Sequence, residues 1–250
     1  MTRTVTRPPL RIAMWSGPRN ISTAMMRSFS SRSDCAVTDE PFYGCFLRQS
    51  GADHPMRTAV LDSMDCDWRS VAAALAGPVP NGKSIWYQKH MPHHMTGSIA
   101  PDDIEHVVHA FLIRDPARMV ASYAAKRETV TPDDLGVIAQ RAFFEREAQR
   151  IGQAPPVVDA ADVLRDPAGT LAALCAALGV VWDEAMLSWP PGRHAEDGIW
   201  ASHWYGRVEA STGFGPPDVV AAALPAALMR IADHCQADYA ALSAYRLARA

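Results

Sequence analysis

The sequence predicts one three-layer α/β/α domain around a central parallel sheet of about five strands. Three observations carry that expectation. Short apolar runs alternate with longer stretches of helical period through the 250 residues. The runs are close to continuously apolar, as suits strands covered on both faces. No Pro/Gly/Ser-rich linker or charge run divides the chain, so residues 1–250 are expected to form a single domain with ample core.

The first unit is Leu10–Ser31, L-R-I-A-M-W-S-G-P-R-N-I-S-T-A-M-M-R-S-F-S-S. Leu10–Trp15 reads as a buried strand and Ser16–Asn20 as a tight polar loop. From Ile21 on, Ile21, Ala24, Met25, Ser28 and Phe29 fall on one helical face. A strand feeding a helix through a short Gly-containing loop leaves backbone N–H groups, and the positive end of the helix dipole, at the turn. Arg19, Ser22 and Thr23 add a cation and two hydroxyls, so phosphate or sulfate is the natural guest. A plain structural βα turn accounts for the stretch equally well. The ATPase signature is missing: counted from Gly17, its second Gly falls at Ser22 and its Lys at Thr23.

Cys35–Thr38 is the second strand, and its end carries Asp39-Glu40-Pro41. Acidic residues there lie on the functional edge of an α/β sheet. Pro41 opens a short helix or loop through Phe42, Tyr43 and Phe46. Met56–Ala76 reads as one helix, closed by the breaker Gly77–Gly82. Ser84–Lys89 is the third strand, running into K-H-M-P-H-H. His106–Ile113 is the fourth and clearest, followed by Arg114-Asp115-Pro116 with Pro116 as first helical residue. That helix turns Met119, Val120 and Tyr123 to the core. Thr131–Asp134 starts a helix running to about Gly152. Pro155–Asp159 is the fifth strand. Asp166-Pro167 starts a helix with Leu171, Leu174, Cys175 and Leu178 on one face and Gly179 as its stop. Trp182–Val208, rich in Trp, Pro, Gly and His, reads as a long ordered loop. Residues 216–250 read as helices broken near Leu224-Pro225, and residues 1–9 as flexible.

Composition narrows the function. A net charge of −3 points to neither nucleic acid nor an anionic membrane as partner. No apolar run suits a bilayer span and none a secretory signal, so a cytoplasmic location is expected. Cys35, Cys45, Cys66, Cys175 and Cys235 form no close pair and read as reduced thiols. His90, His93 and His94 match no standard zinc spacing, and no metal site is expected. Oligomeric state is open.

Arg114 and Ser122 form a second constellation. A strand-end guanidinium and a hydroxyl on the next helix suit a second phosphate. Alternatively, Arg114 pairs with a carboxylate such as Asp115 and Ser122 fills a gap.

With both constellations in order, the chain resembles the sulfotransferase superfamily. S-G-P-R-N-I-S-T is similar to the loop that binds the 5′-phosphosulfate of 3′-phosphoadenosine 5′-phosphosulfate (PAPS). F-L-I-R-D-P-A-R-M-V-A-S-Y is similar to the 3′-phosphate motif, with Arg114 and Ser122 at its spacing. V-V-D-A-A-D-V-L-R-D-P and G-I-W-A-S-H-W-Y-G-R-V-E-A-S-T-G-F resemble the fifth-strand segment and the C-terminal loop of bacterial members. The resemblance implies a P-loop, nucleotide-kinase-like architecture. It also implies PAPS as co-substrate, bound by Ser16, Gly17, Pro18, Arg19, Asn20, Ile21, Ser22, Thr23, Arg114 and Ser122, and sulfuryl transfer to a small-molecule acceptor without a metal. Arg19 stands where cytosolic members usually carry Lys. Their Arg-Lys-Gly over the 3′-phosphate is absent, leaving Arg207, or else Arg193, in its place.

Two residues compete for the base. His90, in Q-K-H-M-P, partly matches the K-T-H-L-P segment that supplies the family's catalytic His. Glu40 lies where some bacterial and Golgi members place a catalytic Glu, and could instead be a salt-bridge or cap residue, as could Asp39. Arg19 is expected to stabilise charge on the transferring group. Trp200, Trp204 and Tyr205 either cover the ligand or anchor their loop, and Tyr43 and Phe46 suit the acceptor side. The competing functions are an ATP-dependent small-molecule kinase of P-loop type, against which the missing G-K-[ST] argues, and a non-catalytic nucleotide-binding protein.

Overall fold

The computed structural model describes residues 8–97, 104–125, 129–216 and 224–248. Five strands form one all-parallel sheet: β1 (Leu10–Ser16), β2 (Cys35–Asp39), β3 (Ile85–His90), β4 (Val108–Ile113) and β5 (Val157–Asp159), in the order β2-β3-β1-β4-β5. Parallel strands need crossover helices, which cover both faces. Ile12 and Met14 of β1, Ile85 and Tyr87 of β3, and Ala110 and Leu112 of β4 share one face with α1 (Ser22–Ser30), α8 (Ala160–Arg165) and α9 (Pro167–Leu178). Ala13, Trp15, Trp86, Phe111 and Ile113 take the other face, against α4 (Trp68–Ala76), α7 (Val137–Ile151) and the end of α12 (Ala226–Ser243). This is the expected three-layer P-loop-type α/β fold.

The pleat has a further consequence at the end of β3. Lys89 follows Ile85 and Tyr87 on the α1 face, whereas His90 follows Trp86 and Gln88 to the opposite one. All five strands end at the same edge, so Ser16, Asp39, His90, Ile113 and Asp159 mark the rim where ligands of such sheets bind.

Local signals hold where caps dictate them. Asp115 caps α5 (Pro116–Ala124) by accepting from the Arg118 N–H, with Pro116 as its first residue. Thr131 and Asp134 form a reciprocal capping box, and Asp166 and Gly179 bracket α9. Several boundaries differ from expectation. The single helix over Met56–Ala76 is two, α3 (Arg57–Ser63) and α4, because Asp67 accepts from the Arg69 N–H and starts a new helix. The helix opened by Thr131 stops as α6 (Pro132–Leu135), where Gly136 turns left-handed at φ 68° before α7 begins. Pro41 leads into α2 (Tyr43–Ser50). The strand drawn from His106 begins at Val108, and the one from Pro155 at Val157. The long loop after Trp182 contains two short helices, α10 (Ala201–Trp204) and α11 (Gly206–Glu209). The first piece of the predicted C-terminal helix pair, and most of the N-terminal segment, lie outside the described residues.

Candidate active site

At the carboxyl edge a cavity of about 380 Å³ is lined from one end by Pro18–Ala24, Arg114, Ser122 and Arg207, and from the other by Glu40, Tyr43, His54, Lys89, His93 and His94. Trp200, Trp204 and Tyr205 form part of its wall.

The β1–α1 turn is built unusually. Arg19 (φ 59°) and Ile21 (φ 45°) both adopt left-handed backbone, which is costly for a β-branched residue and is found where a loop is held for function. Turns of this kind gather backbone N–H groups into anion-binding concavities. No side chain caps the N-terminus of α1. The turn is held from behind. The Asn20 amide donates to the Leu112 carbonyl (2.7 Å), the Gln140 amide donates to the carbonyls of Trp15 (2.9 Å) and Leu112 (3.0 Å), and Arg114 Nη1 donates to the Arg19 carbonyl (2.5 Å). Gly17 is required by close approach: a Cβ there would stand 2.3 Å from the Leu135 carbonyl oxygen and 2.5 Å from Met119 Cε.

Not every residue expected in the turn reaches the cavity. Ser16 is fully buried and Gly17 packs under α5 and α6, so both shape the loop without lining the cavity. Pro18, Arg19, Asn20, Ile21, Ser22 and Thr23 line it. Arg19 Nε donates to Ser122 Oγ (3.0 Å), which joins the two constellations read separately in the sequence. Burial, then the nearness of Arg207 and Arg114, lower the Arg19 pKa from its ordinary value. Three guanidinium groups therefore converge on one end of the cavity, a repulsive arrangement that a bound anion relieves. Arg207 lines this end, whereas Arg193 stays on its own loop, donating to the Gly198 carbonyl (3.4 Å). Arg114 fixes the loop backbone through Arg19 as well as lining the cavity, so its role is partly architectural.

The opposite end is organised by Lys89, which the sequence reading did not select. Its Nζ donates to Asp39 Oδ1 (2.8 Å), Glu40 Oε1 (2.7 Å) and the Tyr205 hydroxyl (2.6 Å). The Tyr205 hydroxyl donates to Asp39 Oδ2 (2.7 Å) and accepts from Trp200 Nε1 (3.1 Å). Burial raises the Glu40 pKa, and Lys89 opposes that rise. Carboxylates outnumber ammonium two to one in this cluster, so Lys89 stays charged and its pKa rises despite burial. Glu40 Oε2 points toward His94 Nε2 at 3.9 Å, beyond hydrogen-bond reach. The Tyr43 hydroxyl hydrogen-bonds His54 Nδ1 (3.0 Å), and the Tyr43 ring stacks on His94 at 4.9 Å. Phe46 packs behind them on His94 at 5.0 Å.

His90, the family-like candidate base, is not brought to this cavity. It is buried on the other face of the sheet, stacked on Trp15 at 4.7 Å, with Nε2 against Gln88 Oε1 at 3.2 Å. One pleat separates it from Lys89, so the residue in the segment that partly matches the catalytic-His motif points away from the cavity. Burial pushes the His90 pKa down to about 3. In the unfolded chain an imidazole titrates near 6.5, so between these values the unfolded state binds the extra proton and stability rises with pH. Urea midpoints are therefore expected to fall as pH drops from about 6.5, and a His90→Phe variant to show a shallower fall. An unchanged slope in that variant would remove His90 as the cause.

Comparisons with known proteins place the chain in a family. The sulfotransferase domain model matches residues 10–243. The chain belongs to the sulfotransferase family. Two curated relatives from Arabidopsis thaliana are similar over most of it. "Branched-chain-amino-acid aminotransferase-like protein 1" is 35% identical over 213 residues, 84% of this chain and 37% of that protein. "Branched-chain-amino-acid aminotransferase-like protein 2" is 33% identical over 209 residues, 82% and 36%. The chain thus spans little more than a third of these relatives' length. Among solved structures, a sulfotransferase domain from the curacin biosynthetic pathway superposes with TM-score 0.52 at 15% identity, covering 97% of this chain and 100% of that one. A sulfotransferase from Alicyclobacillus acidocaldarius superposes with TM-score 0.55 at 14% identity, covering 97% and 98%. These two likenesses show the shared fold. The family assignment gives residues 10–243 of this chain a sulfotransferase domain. Among the described residues, no helix is long and apolar enough to cross a membrane, and no group of three or more His, Cys, Asp or Glu is placed to hold a metal ion.

Proposed function

We propose that the cavity binds PAPS, with its 5′-phosphosulfate on the Pro18–Thr23 turn and its 3′-phosphate among Arg114, Ser122 and Arg207, and transfers the sulfuryl group to a hydroxyl or amine of a small molecule held near Glu40. The observation that carries this reading is the convergence of Arg19, Arg114 and Arg207 on a left-handed turn at a helix N-terminus, facing a buried carboxylate across one cavity. The cationic end suits the donor's phosphates, and the Glu40 end suits the acceptor.

In this reading the acceptor attacks sulfur in line. A new O–S or N–S bond forms while the S–O bond to the 5′-phosphate breaks, and the electron pair leaves with adenosine 3′,5′-bisphosphate. The acceptor proton passes to Glu40. A carboxylate whose proton affinity is raised by burial, yet held in place by Lys89 through one oxygen, fits that task. Arg19 and the first N–H groups of α1 oppose charge building on the bridging oxygen. The Lys89 ammonium remains tied to the two carboxylates and orients Glu40. His54, His93 and His94 replace His90 as the imidazoles on the acceptor side.

Calorimetry tests the donor assignment. Adenosine 3′,5′-bisphosphate is expected to bind, and more tightly than ADP or ATP with magnesium. Tight binding of magnesium ATP with none of the bisphosphate would replace this reading by the kinase one. Screening a metabolite extract with labelled PAPS then identifies the acceptor by the labelled product.

A further inference from the structure

Tyr205 is explained by neither end of the cavity alone. It sits between α10 and α11 on a loop closed at its base by the Ser188–Gly213 bridge. The buried Arg27–Asp197 ion pair (2.5 Å) and the Gly198 N–H, donating to Asp39 Oδ2 (3.2 Å), tack this loop to the rest of the domain. Those two ties lie early in the loop. Tyr205 makes the tie that reaches the reaction end, because its hydroxyl is shared among Lys89, Asp39 and Trp200 and lies 3.5 Å from Glu40 Oε1. Two residues further on, Arg207 lines the cationic end of the same cavity. One short helical turn therefore joins a donor-side cation to the cluster that orients the acceptor-side carboxylate.

We propose that Tyr205 is a positioning residue that couples the two ends, so that seating Arg207 on the donor and orienting Glu40 for the acceptor are one event. The coupling rests on the donor and base assignments above. Its physical basis is hydrogen-bond geometry. With the hydroxyl in place, Lys89 spreads three N–H donors over Asp39, Glu40 and Tyr205. Without it, Asp39 loses its hydroxyl donor and Lys89 one acceptor, so the ammonium is free to shift and the loop loses its central tie. A phenyl ring keeps the apolar packing on Tyr43, Trp200 and Val208. Tyr205→Phe thus removes the coupling with little loss of core.

Glu40 is faced by Asp39 on its own segment, Lys89 from β3, Tyr205 from the loop and His94 from the turn after β3, while Arg19, His54, His93 and Arg207 line other parts of the same cavity. Of these, the variant changes only the Tyr205 hydroxyl. Once the hydroxyl no longer holds the ammonium, Lys89 opposes the rise of the Glu40 pKa less effectively, so that pKa rises further.

The test compares wild type with Tyr205→Phe by three measurements. Amide exchange over residues 198–209 is expected to rise about tenfold in the variant while the sheet stays protected. Bisphosphate affinity is expected to fall roughly fivefold, a loss within the usual range of coupling between sites. The acid limb of the PAPS turnover profile, with water or an acceptor from the screen, is expected to move to higher pH. Unchanged loop exchange, unchanged bisphosphate affinity or an unmoved acid limb each overturns the coupling, since a merely structural tyrosine leaves the acid limb in place. A wild-type protein that does not bind the bisphosphate overturns the donor reading and the coupling with it. Wild-type binding retained in full by the variant overturns the coupling alone.

Discussion

Glu40→Gln is expected to lower sulfuryl turnover by about 10²–10⁴-fold, the usual contribution of a positioned general base. The amide keeps the shape of the side chain and still offers Lys89 an acceptor oxygen, but it cannot take the acceptor's proton. Bisphosphate affinity is expected to stay close to wild type, because Glu40 lines the opposite end of the cavity from the arginines. A loss in kcat with donor binding intact is the signature of a group that acts in the transition state. His90→Ala is the paired control: with His90 stacked on Trp15 outside the cavity, turnover per folded molecule is expected to be unchanged. Full activity in Glu40→Gln, or loss of turnover in well-folded His90→Ala, would reverse the assignment. At pH values below the raised Glu40 pKa, wild-type turnover is expected to fall, since the carboxyl is then already protonated.

Arg114→Ala is expected to weaken adenosine 3′,5′-bisphosphate binding by roughly 100-fold, the loss of a charge-assisted contact to phosphate together with its supporting geometry. A ligand lacking the 3′-phosphate, such as AMP, is expected to lose less, on the order of several-fold. That smaller loss is not zero, because Arg114 also donates to the carbonyl of Arg19 and so holds the left-handed turn. Titration of both ligands against both proteins separates the two roles. Equal losses would make Arg114 purely a support for the loop, and no loss for either would remove it from the site.

Much of the site was legible in the chain because it is local. The strand–loop–helix at Leu10–Ser30 follows from a change of apolar period and a Gly in the turn, and the structure places Arg19, Ser22 and Thr23 on the cavity wall. Arg114 and Ser122 follow from a strand end and the next helix, set by Asp115 and Pro116. The breaks after Ser63 and Leu135 were harder to see, because each depends on a single residue, Asp67 as a cap and Gly136 in left-handed backbone, inside an otherwise helical pattern.

The base illustrates the limit. Alternation along Ile85–His90 shows that Lys89 and His90 lie on opposite faces, but it does not say which face meets the cavity. That depends on which side of the sheet α1 and the 188–213 loop occupy. Lys89 and His54 were missed, and Tyr205 was read only as a ligand cover or a loop anchor, because each gains its partners through the fold: Lys89 from Asp39 and Tyr205, His54 from Tyr43, and Tyr205 from a strand end more than a hundred residues earlier. Arg207 was separable from Arg193 only once the loop was folded.

The sequence by itself therefore determined the layered parallel sheet, the β1–α1 turn and the placing of Arg114 and Ser122 at the same sheet edge, because strand period, helix caps and short βα turns act over a few residues. Only the tertiary structure decided that the Arg19 guanidinium meets Ser122, that His90 is turned into the core and that Glu40 is paired with Lys89 under Tyr205. Those choices rest on the packing of distant segments against one sheet edge, where a single step of the pleat exchanges a core side chain for one in the site.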